Sequence, residues 1–182
     1  MKPRSHGQRV GLLAREIGRV LGLPPEALRT LAVGGVFHDV GKLFLPRSVL
    51  GKRGPLSAEE WGLVRRHPVW GAWVLSAWEG GLGPVSSVAL YHHERWDGTG
   101  YPFGLRGEEI PLLARVVAVA DAYDAMVSDR PYRRGKPPEI ALREIRNLAG
   151  VQFDPEVVRA FLSLCKEEGE WRNGEEVLRT FS

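Results

Sequence analysis

A single cysteine, Cys165, stands in a chain of 182 residues, and one thiol excludes an internal disulfide framework. Val157, Val158, Phe161 and Leu162 precede it, which is the company of a small core residue. No apolar run approaches the roughly 18 residues that a membrane-spanning helix needs. The opening Met1-Lys2-Pro3-Arg4-Ser5-His6 lacks the apolar stretch of a secretory signal. These absences together lead us to expect a cytoplasmic protein that does not engage a membrane. Lysine is also scarce: arginine supplies most of the basic charge, and the net charge is only +3. Without a lysine-rich tail, binding to polymeric nucleic acid is not expected. Arginine does suit bidentate contact with single phosphate groups.

Repeats, low-complexity segments and strand-like alternation are missing as well, while helical spacing recurs throughout. Val10, Leu13, Ala14, Ile17, Val20 and Leu21 predict a helix over residues 5–22 with Ser5 as N-cap. A second helix opens at Pro25 and ends near His38-Asp39-Val40-Gly41-Lys42. Residues 43–56 read as a loop, after which Ser57-Ala58-Glu59-Glu60 forms a capping box for a third helix. Pro68 marks a break or restart, and a turn at 79–84 separates this region from a helix over about 85–95. A glycine-rich loop over about 96–110 leads to Pro111, which starts an apolar helix running to about Ser128. Two further helices are predicted at about 138–149 and 154–168, the second with Asp154 as N-cap and Pro155 in its first turn. The expected architecture is all-α: one helical bundle over 1–182, with the tail from 170 to 182 unassigned.

The five histidines are His6, His38, His67, His92 and His93. Taken singly, each reads most simply as a surface or satisfied core residue. Their positions argue otherwise, because all fall at predicted helix ends or beside a proline, where side chains can converge on one pocket. Asp39 follows His38 directly. Asp121 lies inside Val116-Val117-Ala118-Val119-Ala120, where an uncompensated carboxylate would cost several kcal/mol. Imidazole with carboxylate and no thiolate suits a catalytic zinc, iron or manganese site better than a closed structural zinc site. There are enough such groups for two ions sharing a carboxylate, an arrangement that activates water and clamps a phosphoryl group. Glu94 is read as the partner that orients a liganding histidine, ahead of a role as general acid. Asp124, one turn after Asp121, is read either as a partner to a ligand or bound water, or as a cap for Arg130. Trp61, Trp70, Trp73 and Trp78 are expected to pack between helices, and Arg65-Arg66 to form a solvated face.

His6, His38-Asp39 with Gly41-Lys42, His67, His92-His93 with Glu94, Gly100-Tyr101-Pro102 and Asp121 resemble, in order, the motif string of HD-GYP domains. These are helical phosphodiesterases of the HD superfamily that cleave cyclic di-GMP, and the resemblance covers about residues 5–165. It implies one divalent ion on His6, His38, Asp39 and Asp121. It implies a second on His67, His92 and His93, with Asp39 bridging. Iron or manganese is favoured, with zinc and nickel as further candidates. Asp39 and Lys42 would carry the chemistry: an ion-activated hydroxide attacks phosphorus, and Lys42 reaches a phosphate oxygen. Gly98, Gly100, Tyr101 and Pro102 would shape the substrate pocket, and Arg130 and Arg133 would hold phosphate or guanine. Members with a third ion carry a glutamate one turn before the first histidine. Lys2 stands there instead, so two ions are expected, and the resemblance implies hydrolysis to pGpG with further conversion to GMP left open. Two other readings remain: an HD-type phosphohydrolase for other nucleotides, and a non-catalytic module that binds the dinucleotide or docks a protein. With no room for a receiver or sensor module, regulation is expected from a separate signalling partner or through homodimerisation.

Overall fold

A computed structural model describes residues 4–52, 54–81, 83–129, 134–167 and 170–171. Ser5 caps the first helix, α1 (His6–Val20), through a capping box in which its side chain accepts from the Gln8 N–H while Gln8 reaches back to the Ser5 N–H. Gly22 adopts a left-handed φ of 71° beyond the helix end, a conformation that glycine takes without steric cost. Pro25 then opens α2 (Pro25–Phe37), its missing N–H being one the first turn would leave unpaired in any case. A 3-10 turn over Val40–Phe44 and the four-residue α3 (Arg47–Leu50) follow. The segment 43–56 expected to be loop therefore carries one helical turn.

Ser57 and Glu60 form the capping box of α4 (Ala58–Val64), as the sequence predicts. The chain restarts as α5 (His67–Glu79) with Pro68 at its second residue. Next come α6 (Pro84–Tyr91) and, after the long loop, α7 (Leu112–Val127). The last helices are α8 (Pro138–Asn147) and α9 (Pro155–Leu164), with Asp154 accepting from the Glu156 N–H. Three boundaries differ from expectation. The helix ahead of the glycine-rich loop stops at Tyr91, so His92 and His93 lie on its final turn rather than inside it. Pro111 precedes α7 as its cap. The last helix ends before Cys165, and β1 (Lys166–Glu167) pairs antiparallel with β2 (Glu170–Trp171) in a short hairpin.

The main core joins α1, α2, α7, α8 and α9 through Val10, Leu13, Ile17, Leu31, Val116, Val119, Leu142, Ile145, Val157 and Phe161. Each such side chain contributes about 1.5–3 kcal/mol by leaving water. Tyr123 of α7 meets Phe161 of α9 edge to face at 5.0 Å, the favoured quadrupole arrangement. Cys165 is fully buried beside them, and burial pushes its thiol up to about 12. A smaller cluster of Leu75, Val85 and Ala89, with Val33 and Val40, ties α5 and α6 to α2.

The tryptophans correct the sequence reading. Trp61 is 48%, Trp73 70% and Trp78 70% exposed, so these rings do not pack between helices. For Trp73 and Trp78 the reason is that α5 buries Gly71, Ala72 and Leu75: small residues on the packed face bring the backbones close and turn the indoles outward, while α4, which carries Trp61, buries no residue. Among the described residues no helix is long and apolar enough to cross a membrane.

Helices α1 and α2 cross at Gly11 and Gly35, where a Cβ on Gly35 would lie 2.5 Å from the Gly11 Cα and 2.6 Å from its nitrogen. That contact sets the spacing of His6 and His38, whose ring centres are 5.4 Å apart. Gly35→Val should cost about 1–3 kcal/mol by overpacking. In a domain of this size that lowers the thermal midpoint by roughly 2–12 °C, which a circular-dichroism melt would register.

Candidate metal centre

Four helix ends and the middle of a fifth helix meet on one side of the bundle. His6 is the first residue of α1, and His38 and Asp39 follow α2. His67 opens α5, His92 and His93 close α6, and Asp121 projects from the middle of α7. Gly41 makes the approach of two of these ends possible. A Cβ there would overlap the carbonyl oxygen of His67, so only glycine lets the 3-10 turn press against α5 and bring Asp39 to His67.

Asp39 sits at the centre. Its Oδ1 is 3.2 Å from His67 Nε2 and 3.7 Å from His92 Nε2, and its Oδ2 is 3.4 Å from His38 Nε2. Asp121 Oδ1 lies 3.2 Å from His6 Nε2 and 3.7 Å from His38 Nε2. His93 packs edge-on to His67 at 4.9 Å and close to His92 at 4.0 Å between ring centres. Two groups of potential ligand atoms result, Asp39 with His67, His92 and His93, and Asp39 with His6 and His38, each spanning no more than 4.8 Å. Lys42 Nζ is 2.6 Å from Asp39 Oδ2.

The hydrogen bonds state what this cluster lacks. His38, His67 and His92 direct Nδ1 at the carbonyls of Gly35, Val64 and Ala89, at 2.7, 2.7 and 2.8 Å. A carbonyl only accepts, so in each ring Nδ1 donates. In the neutral rings Nε2 is then a lone pair, and all three lone pairs face the Asp39 carboxylate. Acceptor confronts acceptor in a buried site, and His38 Nε2 and Asp39 Oδ1 have no hydrogen-bond partner. Such groups are costly unless a cation stands among them. This donor set fits a divalent ion.

Charge tells the same story. Hydrogen bonds that His6 donates to the Asp121 and Asp124 carboxylates raise its pKa to about 9. Burial opposes charging His38, but Asp39 outweighs it and the pKa rises. Burial holds His92 low and pushes His93 down to about 2. Burial also works to raise the Asp39 and Asp121 carboxyls, yet the surrounding imidazoles hold both well below the usual carboxylate range. The carboxylates thus draw positive charge onto the nearer imidazoles, His6 and His38.

The glycine-rich loop walls one side. Tyr101 stacks on His93 at 4.8 Å and 25°, and the Tyr101–Pro102 bond is cis. Burial raises the Tyr101 phenol, so it stays a neutral donor. Gly98 has φ 81° and faces Gly104 and Arg106 within the loop, while Gly100 lies against the backbone of Glu94 and Arg95. Arg130 and Arg133, and also Lys2, lie outside the described residues.

Glu94 departs from its expected place. It is 4% exposed, and its side chain accepts from the backbone N–H groups of Phe103, Gly104 and Leu105, at 2.7, 3.2 and 3.1 Å. A buried carboxylate among three peptide donors clamps the loop and is not placed as a general acid. Sequence reasoning could not see this, because backbone N–H groups carry no residue signature. Asp124 Oδ2 is 2.7 Å from His6 Nδ1, the contact that its first reading expects; Arg130, on which the other reading rests, lies outside the described residues. Two arginines were missed. Arg9 pairs with Asp124, a partnership signalled only by its place one turn after His6. Arg65 holds its guanidinium 5.7 Å from the Tyr101 ring centre, which gives it a role in the wall rather than on a solvated face alone.

Glu94→Gln replaces an acceptor with a group that is half donor. It should cost about 1–3 kcal/mol of loop anchoring and leave ion content unchanged. Faster hydrogen exchange confined to residues 101–106 would register the loss.

A family model of the HD domain matches residues 2–157. The chain is 43% identical over 168 residues to a cyclic di-GMP phosphodiesterase of Thermotoga maritima, covering 92% of this chain and 46% of the relative. It is 46% identical over 157 residues to a cyclic di-GMP phosphodiesterase of Pseudomonas aeruginosa, covering 86% of this chain and 38% of the relative. The chain therefore spans less than half the length of these curated relatives. Among solved structures, an HD-GYP-type protein of Bdellovibrio bacteriovorus superposes with a TM-score of 0.71 at 25% identity, over 89% of this chain and 52% of that one. With the family model spanning most of the chain and the His-Asp pair at the centre of its cluster, this protein belongs to the HD-domain family.

Proposed function

We propose that this chain is a metal-dependent phosphodiesterase that hydrolyses cyclic di-GMP, holding two divalent ions of which iron or manganese fits best. The observation that carries the reading is the pair of ligand groups sharing Asp39, together with relatives at 43% and 46% identity named for that activity. His6, His38 and Asp121 serve one ion, His67, His92 and His93 the other, and Asp39 both. When bound, such ions supply Lewis acidity that lowers the pKa of a water and offsets charge on a phosphoryl group.

The chain's own groups do the rest. The peptide carbonyls of Gly35, Val64 and Ala89 keep three imidazoles in the tautomer that presents Nε2 inward. Lys42, now paired with Asp39 Oδ2, offers its ammonium to a non-bridging phosphate oxygen once a cation claims that carboxylate. Tyr101 fixes the pocket wall by stacking on His93, with Gly98, Gly100 and Pro102 shaping the turn and Glu94 clamping it. Arg130 and Arg133 are assigned to phosphate or guanine. The product is linear pGpG or, where both phosphodiester bonds are cut, GMP.

Purified protein incubated with cyclic di-GMP should release pGpG on chromatography, with two ions per chain by elemental analysis. Asp39→Ala and His38→Ala should each reduce turnover to background while retaining a helical circular-dichroism spectrum. Turnover of dGTP in place of cyclic di-GMP would move the chain to a general HD phosphohydrolase, and full activity in Asp39→Ala would remove the proposal.

A further inference from the structure

The histidines of the cluster are not oriented alike. His38, His67 and His92 are 1%, 0% and 0% exposed at the side chain, and each donates Nδ1–H to a carbonyl three residues back. Those carbonyls belong to the chain that carries the ring, so the orientation is set as soon as the local turn forms. His6 opens α1 and has no helical turn before it. It is 37% exposed, and its Nδ1 goes instead to the carboxylate of Asp124, 118 residues away on α7.

Asp124 is held in turn. Arg9 donates Nε to Oδ1 at 2.6 Å and Nη2 to Oδ2 at 2.9 Å, a two-point clamp on both oxygens. The same Nη2 lies 3.0 Å from Ser128 Oγ, and Nη1 donates to the Arg4 carbonyl at 2.7 Å. Arg9 thus joins the chain ahead of α1 to the end of α7. Planar bidentate pairing fixes a carboxylate in direction as well as place. A carboxylate behind a liganding imidazole sets its tautomer and ring angle.

We propose that Asp124, clamped by Arg9, is the positioning residue for His6, and that the two ion sites are therefore unequal. The site of His67, His92 and His93 is preset by backbone and ring packing. The site of His6, His38 and Asp121 is complete only while the Arg9–Asp124 pair holds, so its ion is the first to leave. This rests on the two-ion reading above.

The test is equilibrium dialysis of metal-stripped full chain against Mn2+, followed by elemental analysis, for wild type, Asp124→Ala, Asp124→Asn, Arg9→Gln and His6→Ala. Wild type should bind two ions. Asp124→Ala should keep one at wild-type affinity and bind the other about 10–100-fold more weakly, as His6→Ala does. Asp124→Asn, which retains an acceptor for His6, should fall between. Arg9→Gln should weaken the same ion by a smaller factor, and it carries the comparison if Asp124→Ala fails to fold. Two equally tight ions in both Asp124→Ala and Arg9→Gln would overturn the proposal, as would equal weakening of both sites. Fewer than two ions in wild type would instead overturn the two-ion reading itself.

Discussion

One carboxylate faces imidazole nitrogens that, in the neutral rings, have nothing to donate to it. Three of the rings around Asp39 spend one N–H on a backbone carbonyl, so in the neutral rings the opposing nitrogens are lone pairs. Like-signed partial charges in a poorly hydrated site repel strongly, because the local dielectric is low. That arrangement persists in a folded protein only if positive charge enters it. Much of the fold serves this confrontation. Gly11 and Gly35 let α1 and α2 cross closely, and Gly41 lets the turn after α2 meet the start of α5. The large apolar core of α1, α2, α7, α8 and α9 supplies the stability against which such a cluster can be held.

Around that centre the structure grades from preset to conditional. The deepest histidines are fixed by their own helical turns and by one another's rings. The loop beyond them is fixed at a distance, through a carboxylate that gathers three peptide N–H groups. The loop's other side is tied to the α8–α9 link, where Trp96 and Asp97 donate to the Gln152 and Val151 carbonyls. His6 stands at the exposed edge and is held by side chains alone among the described residues. Bundles assembled from helix ends have this character: the more a ligand depends on its own turn, the less it depends on the rest of the molecule.

Helix ends and helix faces were legible because their signals are local. The Ser5 and Ser57 capping boxes and Pro25, Asp154 and Pro155 all stand where their chemistry places them. The His-Asp cluster was legible for a different reason. Ionisable groups in apolar or terminal positions are expensive, and a sequence that spends them in several places invites a common purpose. The indoles of α5 were misjudged because a tryptophan's burial depends on how near the neighbouring backbone comes. Gly71 and Ala72 closed that distance and left Trp73 in solvent. Arg9 was invisible for a related reason: its partner is more than a hundred residues away.

By itself, then, the sequence determined a helical bundle, the starts of several of its helices, and a set of imidazoles and carboxylates suited to a divalent ion. Those properties follow from spacing, capping chemistry and desolvation cost, which act over a few residues. Only the tertiary structure decided that Glu94 holds a loop rather than a histidine, that Asp124 with Arg9 stands behind His6, and that the Trp73 ring faces water. Each of these depends on which backbone groups and side chains from remote parts of the chain come within hydrogen-bonding or van der Waals reach, and that is a property of helix packing rather than of any single stretch.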